Sequence, residues 1–339
     1  MLKNKNYNTA FNVWLVSLIF LLSLIVIVGG LTRLTDSGLS ITEWELFKGV
    51  LPPLSSKDWL DYFESYKRIP QYLLLNNSMS LEEFKYIFFW EYAHRLLARF
   101  IGLFFLVPFL FFIFMNVLTY KLTVKLSKIF ILILIQGIIG WYMVKSGLVE
   151  NTSVSHYRLS IHLLMAFSIL SSLLWIFLNS FFKTEKKFFQ LNYNNITLKI
   201  LLFLMFIQII FGAFVSGLDA GKVYQTWPLM NQSYFPDDAS LGNLFNLSQP
   251  SIVQFFHRNI AYLIFFLSIG VGFNIFIKKK AFLYRIFLFF FLTIITQVIL
   301  GISVLITGVN LYLASMHQIS TIFLIVAAIN LYYRSIRYY

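Results

Sequence analysis

The chain has 339 residues, of which 59% are hydrophobic and only 12% charged, with a mean hydropathy of +0.76. That balance excludes an ordinary soluble globular protein. A net charge of +13 raises nucleic-acid binding, but the cations form short clusters beside apolar runs, which argues against such a partner.

In chain order, the first apolar run follows Lys3 and Lys5 and gives a span over 12–31. It is too long for the apolar core of a signal peptide, and Gly29-Gly30-Leu31-Thr32-Arg33 has no small-x-small cleavage pattern, so it reads as an uncleaved anchor. Loop 32–93 carries the stretch DWLDYFESYKRIPQY, Pro52-Pro53 and SLEEFKYIFFWEYAHR. Ser80 with Glu83 forms a capping box, and the helix it starts is expected to run unbroken into a second span, 94–118. Further spans follow at 128–145, whose uncharged core is short, and at 158–181, 198–217 and 256–277. The uncharged run from Ile286 to Tyr333 exceeds the roughly 20 residues of one crossing and breaks near Gly308-Val309-Asn310 into 285–306 and 312–333.

Eight spans result, and helices are the default because backbone in lipid must satisfy its own hydrogen bonds. The alternating pattern of a membrane barrel is absent from the sequence. Lys121, Lys125 and Lys128, then Lys183, Lys186, Lys187 and Lys199, then Lys278, Lys279, Lys280 and Arg285, and last Arg334 and Arg337 fall on the same side as Lys3 and Lys5. Glu185 is the one acid among them; the others lie in or beside the opposite loops. The positive-inside rule then makes both termini cytoplasmic. With no room for an Arg/Ser-rich transit peptide, a bacterial inner membrane is the expected location.

The chain repeats itself. GGLTRLTDSGLSITEW (29–44) aligns with GAFVSGLDAGKVYQTW (212–227) at an offset of 183, so that Gly29, Asp36, Gly38 and Trp44 match Gly212, Asp219, Gly221 and Trp227. His94-Arg95 matches His257-Arg258, QGIIG (Gln136, Gly140) matches QVILG (Gln297, Gly301), and His162 matches His317. Four spans per copy is an even number, so both copies enter the membrane from one side. The fold class expected is an all-α polytopic membrane protein of eight transmembrane helices. They form two parallel-repeat four-helix bundles, residues 1–190 with the long outer loop and residues 191–339.

Each of these four histidines opens a span running from outside to inside, so all four lie near the outer leaflet. Cysteine is absent, which excludes disulfides and thiolate ligands. Apart from Asp36 and Asp219, no carboxylate repeats in both halves to complete a zinc or copper site. Two imidazoles per bundle, beside Phe88, Phe89, Trp90, Phe255 and Phe256, suit the axial positions of a haem. Arg95 and Arg258 are candidates for holding haem propionates, with interfacial snorkelling as the alternative. A fifth histidine, His156, falls outside the repeat and reads as an exposed loop residue.

Glu91 stands three residues before His94, whereas the second copy has Gln254 at that place. A carboxylate at one of two equivalent sites suggests that one site does chemistry while the other carries electrons. The alternative is a pairing of Glu91 with Arg95 one turn on.

Taken together, GGLTRLTDSGLSITEW, GVLPPL, EYAHR, YRLSIHL, QTWPLMN and FFHR resemble the haem A synthase family, a group of cytochrome oxidase assembly proteins, over nearly the whole chain. The lack of cysteine matches its cysteine-free branch, and Ser155-His156-Tyr157-Arg158 departs from the Ser-Pro-Tyr-Arg common in the family. The resemblance implies a membrane oxidoreductase that oxidises a methyl group of haem O to the formyl group of haem A. It implies haem O as substrate between His94 and His162, a haem b cofactor on His257 and His317, and Glu91 as catalytic acid or base. Haem O synthase, a membrane electron acceptor, surrounding lipid and a second copy of the chain are the partners to be expected. Two rivals stay open: a diheme b-type electron-transfer subunit, and a haem transporter.

Overall fold

The computed structural model describes residues 2–44, 48–150, 152–189 and 196–336. Arg337, both chain ends and the division expected at 190/191 lie outside the described residues. The elements are α1 (Asn8–Leu34), α2 (Ser56–Tyr66), α3 (Pro70–Leu75), α4 (Leu81–Phe114), α5 (Tyr120–Glu150), α6 (His156–Phe181), α7 (Ile196–Gly217), α8 (Pro250–Ile277), α9 (Ala281–Ile306) and α10 (Leu311–Ser335). No strand occurs among the described residues. All but α2 and α3 are long and apolar enough to cross a membrane, which makes eight candidate spans.

The helix ends follow local chemistry. Ser80 caps α4 by accepting from the Glu83 N–H, and Glu83 Oε2 accepts the Ser80 N–H at 2.8 Å. As expected from the capping box, α4 is continuous from there through His94. At about 1.5 Å per residue the turns before His94 extend roughly 20 Å, and α4, at 34 residues, is longer than the roughly 20 residues one crossing needs. The expected span 128–145 lies within the longer α5, because the polar turns on either side stay helical. The break between α9 and α10 falls where Gly308 and Val309 take left-handed φ values of 68° and 64°.

Around α1, the contacts run α1–α4, α4–α5, α5–α6 and α6–α1; around α7, they run α7–α8, α8–α9, α9–α10 and α10–α7. Three contacts join the rings: α6–α7, α1–α10 and α6–α10. Lipid gives little hydrophobic drive for helix association, so shape and buried polar contacts decide it. At one end of the bundle Lys3 N–H donates to the Val117 carbonyl at 2.7 Å and Lys186 Nζ to the Tyr333 carbonyl at 2.8 Å, drawing four of the basic segments together.

At the other end, the segment between α1 and α4 forms a small cap with its own core. Ser55 and Asp58 make a capping box at the start of α2, and Pro70 opens α3. Leu39, Phe63, Tyr66, Ile69, Phe84 and Phe88 are buried together. Gln71 Nε2 donates to the Asp36 carbonyl at 2.9 Å, tying the cap to the end of α1.

Candidate haem-ligating histidine pairs

The structure brings His94 of α4 and His162 of α6 face to face across the first ring, with ring centres 6.5 Å apart and planes inclined at 50°. Two imidazoles bound through nitrogen to one metal at about 2 Å each hold their ring centres roughly 6–6.5 Å apart. The observed separation therefore fits one iron between them. Among the described residues no group of three or more histidine, aspartate or glutamate side chains is placed to hold a metal ion; His94 and His162 offer two imidazole ligands, such as a haem iron would take.

Every one of the four rings rests on a glycine of the preceding span. A Cβ placed on Gly29 would stand 2.8 Å from His94 Cε1, on Gly140 3.0 Å from His162 Cε1, on Gly212 3.3 Å from His257 Cε1, and on Gly301 3.0 Å from His317 Cε1. Real Cβ contacts almost never come below 3.0 Å, so Gly29 is what lets the His94 ring lie against α1; at the other three the approach is tight, and an added Cβ would need the ring to give by a few tenths of an ångström. The Nδ1 atoms of His162, His257 and His317 are buried without a hydrogen-bond partner. Buried polar atoms in that condition are uncommon and mark a site that expects something further.

Glutamines supply the surrounding polarity. Gln136 Nε2 donates to the His162 carbonyl at 3.0 Å, and Gln208 Nε2 to the His257 carbonyl at 3.0 Å. Gln208 and Gln297 amide nitrogens lie 3.4 Å and 3.3 Å from the Nε2 atoms of His257 and His317. Gln208 escapes the sequence reading because the aligned position in the first copy is Ile25; its only signal is a lone amide in an apolar run.

Glu91 is 3% exposed and fully engaged. Its Oε2 accepts from Ser40 Oγ at 2.7 Å and from the Ile41 N–H at 2.8 Å, while Oε1 accepts from Arg95 at 2.6 Å. Its partners are thus the outer loop and the arginine one turn on, which is the pairing alternative noted above. Gln254, 2% exposed, donates to the Tyr224 carbonyl at 2.9 Å, and Tyr224 is the residue aligned with Ile41.

The arginines are equally matched. Arg95 donates to the carbonyls of Ile41 and Glu43 at 2.9 and 3.3 Å, and Arg258 donates to those of Tyr224 and Thr226, both at 2.9 Å. Both guanidiniums are therefore spent largely on loop carbonyls, although Arg258 Nε remains buried without a partner. Beside Arg95 a cavity of about 500 Å³ opens between the first outer loop and α5, lined by Ile41, Trp44, Trp141, Val144 and Lys145 among others. Trp141 and Arg95 directly follow Gly140 and His94 in sequence, but neither His94 nor His162 lines the cavity.

His156 departs from the exposed-loop expectation. It is the first residue of α6, half-buried, with its ring 5.3 Å from that of Phe214 and its Nε2 buried without a partner. A Cβ on Gly217 would lie 2.7 Å from its own Cβ, so the α6–α7 seam closes over it. It joins neither histidine pair.

A family model described as cytochrome oxidase assembly protein, COX15-CtaA, matches residues 12–329. The chain is 51% identical over 94% of its length to a protein of Pelagibacter ubique named heme A synthase, covering 94% of that protein. It is 41% identical over 93% of its length to the heme A synthase of Bradyrhizobium diazoefficiens, covering 89% of it. The heme A synthase of Nitrosospira multiformis is 42% identical over 94% of this chain and 91% of its own.

Proposed function

The chain belongs to the COX15-CtaA family of cytochrome oxidase assembly proteins, and on that premise we propose that it is a haem A synthase, a multi-pass inner-membrane oxidoreductase that converts haem O to haem A. The observation that carries this reading is the facing pair His94 and His162, 6.5 Å apart, on glycine shelves repeated under His257 and His317.

In this reading residues 1–190 bind haem O as substrate between His94 and His162, and residues 191–339 hold a haem b on His257 and His317. The matched arginines, matched glutamines and matched shelves support descent of the two halves from one unit. Both termini are cytoplasmic, as the basic clusters at one end of the bundle suggest. A haem b would supply a one-electron redox couple beside the substrate site. The two imidazoles of the first pair hold the substrate ring at fixed depth; Lys145, on the cavity wall, suits a propionate, and Arg95 would reach one only by giving up a loop carbonyl. The capping loop keeps bulk water from the site. Glu91 holds or moves a proton at its Oε2, with Ser40 and the Ile41 N–H orienting it. Haem O synthase as donor, a membrane electron acceptor and self-association complete the proposed partnerships.

The test is to express the full chain in membranes of a host that makes haem O, purify it in detergent, and separate the extracted haems by chromatography. Haem B together with haem O or A is expected. Haem B alone, with haem O demonstrably present in the host, would overturn the synthase reading in favour of an electron-transfer subunit; no retained haem would point to a transporter.

A further inference from the structure

Gln318 directly follows His317 on α10 but makes its hydrogen bond in the other ring. Its Nε2 donates to the Val26 carbonyl of α1 at 2.7 Å. The side chain also fills the space that a side chain on residue 30 would take. A Cβ on Gly30 would fall 1.6 Å from Gln318 Oε1 and 2.0 Å from both Cδ and Nε2. Gly30 adjoins Gly29, whose Cβ would stand 2.8 Å from His94 Cε1. From the backbone of His317 to the ring of His94, the link is one glutamine and two consecutive glycines.

The other seam lacks this link. In the α6–α7 contact, Leu163 follows His162 and Ala213 stands where Gly30 does. The carbonyl that Gln318 uses keeps a second lone pair for the helix's own bond, so α1 need not bend to accept it. An amide in this setting has few other partners. It therefore fixes the height and rotation of α10 against α1.

Resting on the reading that both histidine pairs hold haem, we propose that Gln318 is a positioning residue for the first pair: it sets the seat of His94 from the helix that carries His317. The link runs through Gly29 and Gly30, so a change at Gln318 is felt by the pair in the opposite ring.

The experiment compares full-length wild type, Gln318→Leu, Gly30→Ala, Gln318→Ala and the Gly30→Ala/Gln318→Ala double variant, purified from a haem O-producing host. Haem content of each type and the low-spin electron paramagnetic resonance signals are recorded. Gln318→Leu is expected to shift the signal of the His94–His162 haem and lower its occupancy about fivefold, with the haem of His257 and His317 retained. Gly30→Ala should do the same by expelling the amide. In the Gln318→Ala background, Gly30→Ala should add almost nothing, because the alanine enters vacated space. A merely structural role predicts equal loss of both haems and additive effects, and that result overturns the proposal. So does an unchanged first-pair signal in Gln318→Leu. If Gln318→Leu does not insert, the Gly30→Ala effect in the two backgrounds decides alone. If wild type binds no haem that His94→Ala removes, the functional reading fails first, and the proposal with it.

Discussion

Glu91 Oε2 accepts the Ile41 N–H at 2.8 Å, and at the aligned place Gln254 Nε2 donates to the Tyr224 carbonyl at 2.9 Å. The two side chains anchor equivalent loops with opposite polarity. The loss of symmetry between carboxylate and amide therefore has a local cause, separate from any chemistry. Glu91→Ala leaves Ser40 and the Ile41 N–H without their carboxylate acceptor and Arg95 without its counter-charge, and should cost about 3–5 kcal/mol, as breaking a buried ion pair does, read as thermal unfolding in detergent. Glu91→Gln keeps an oxygen for the Ile41 N–H and is expected to retain haem. A drop of about tenfold or more in haem A formed by Glu91→Gln supports proton handling; unchanged conversion would reduce Glu91 to an anchor.

The four glycine shelves predict a graded series. Alanine should be worst at Gly29, where the Cβ would meet His94 at 2.8 Å, intermediate at Gly140 and Gly301 at 3.0 Å, and mildest at Gly212 at 3.3 Å. Haem retained per protein after purification measures it. Gly212→Ala proving the most damaging would contradict the shelf geometry.

Removing single histidines should sort the haems by half. His257→Ala or His317→Ala is expected to lose haem B, and His94→Ala or His162→Ala to lose haem O and A while keeping haem B. Chromatography of extracted haem reads this directly, and loss of haem B on changing His94 would assign the halves the other way.

The loop between α7 and α8 should carry a pH dependence through Tyr224. Its hydroxyl, buried and hydrogen-bonded to Asp237 and, at 2.8 Å, to Asp238, is held above the ordinary tyrosine range, first by burial and then by the carboxylates. The same hydrogen bond holds Asp237 below the usual carboxylate range. A lowered carboxylate pKa gives stability that is present above its unfolded value and lost as pH falls through the folded one. A raised tyrosine pKa gives stability lost as pH climbs through its folded value. Thermal midpoints should thus decline at both extremes, and Tyr224→Phe should flatten both limbs. A profile identical in wild type and Tyr224→Phe would refute the linkage.

Much of this was legible in the sequence because membrane physics writes in long strokes. Apolar runs locate α1 through α10 apart from the cap, and the matching places of His94, His162, His257 and His317 in the two copies mark the candidate site. Short-range signals such as the Ser80–Glu83 capping box and the Gly308–Val309 break also hold. What stayed hidden depends on neighbours across space. Gly29 and Gly140 read as repeat markers, and only packing shows them as seats for imidazoles. Gln318 has no counterpart in the first copy, so repetition cannot flag it. His156 looks like a loop residue until α7 and its Gly217 close over it.

Each shelf joins a histidine to the span immediately before it: Gly29 with His94, Gly140 with His162, Gly212 with His257, Gly301 with His317. Four consecutive hairpins thus carry four finished half-clamps, each complete as soon as its second helix enters the bilayer. Assembly then needs only to bring hairpins together in order, and the His94–His162 pair is complete once α6 packs against α1 and α5. The seam through Gln318 is added last, with α10.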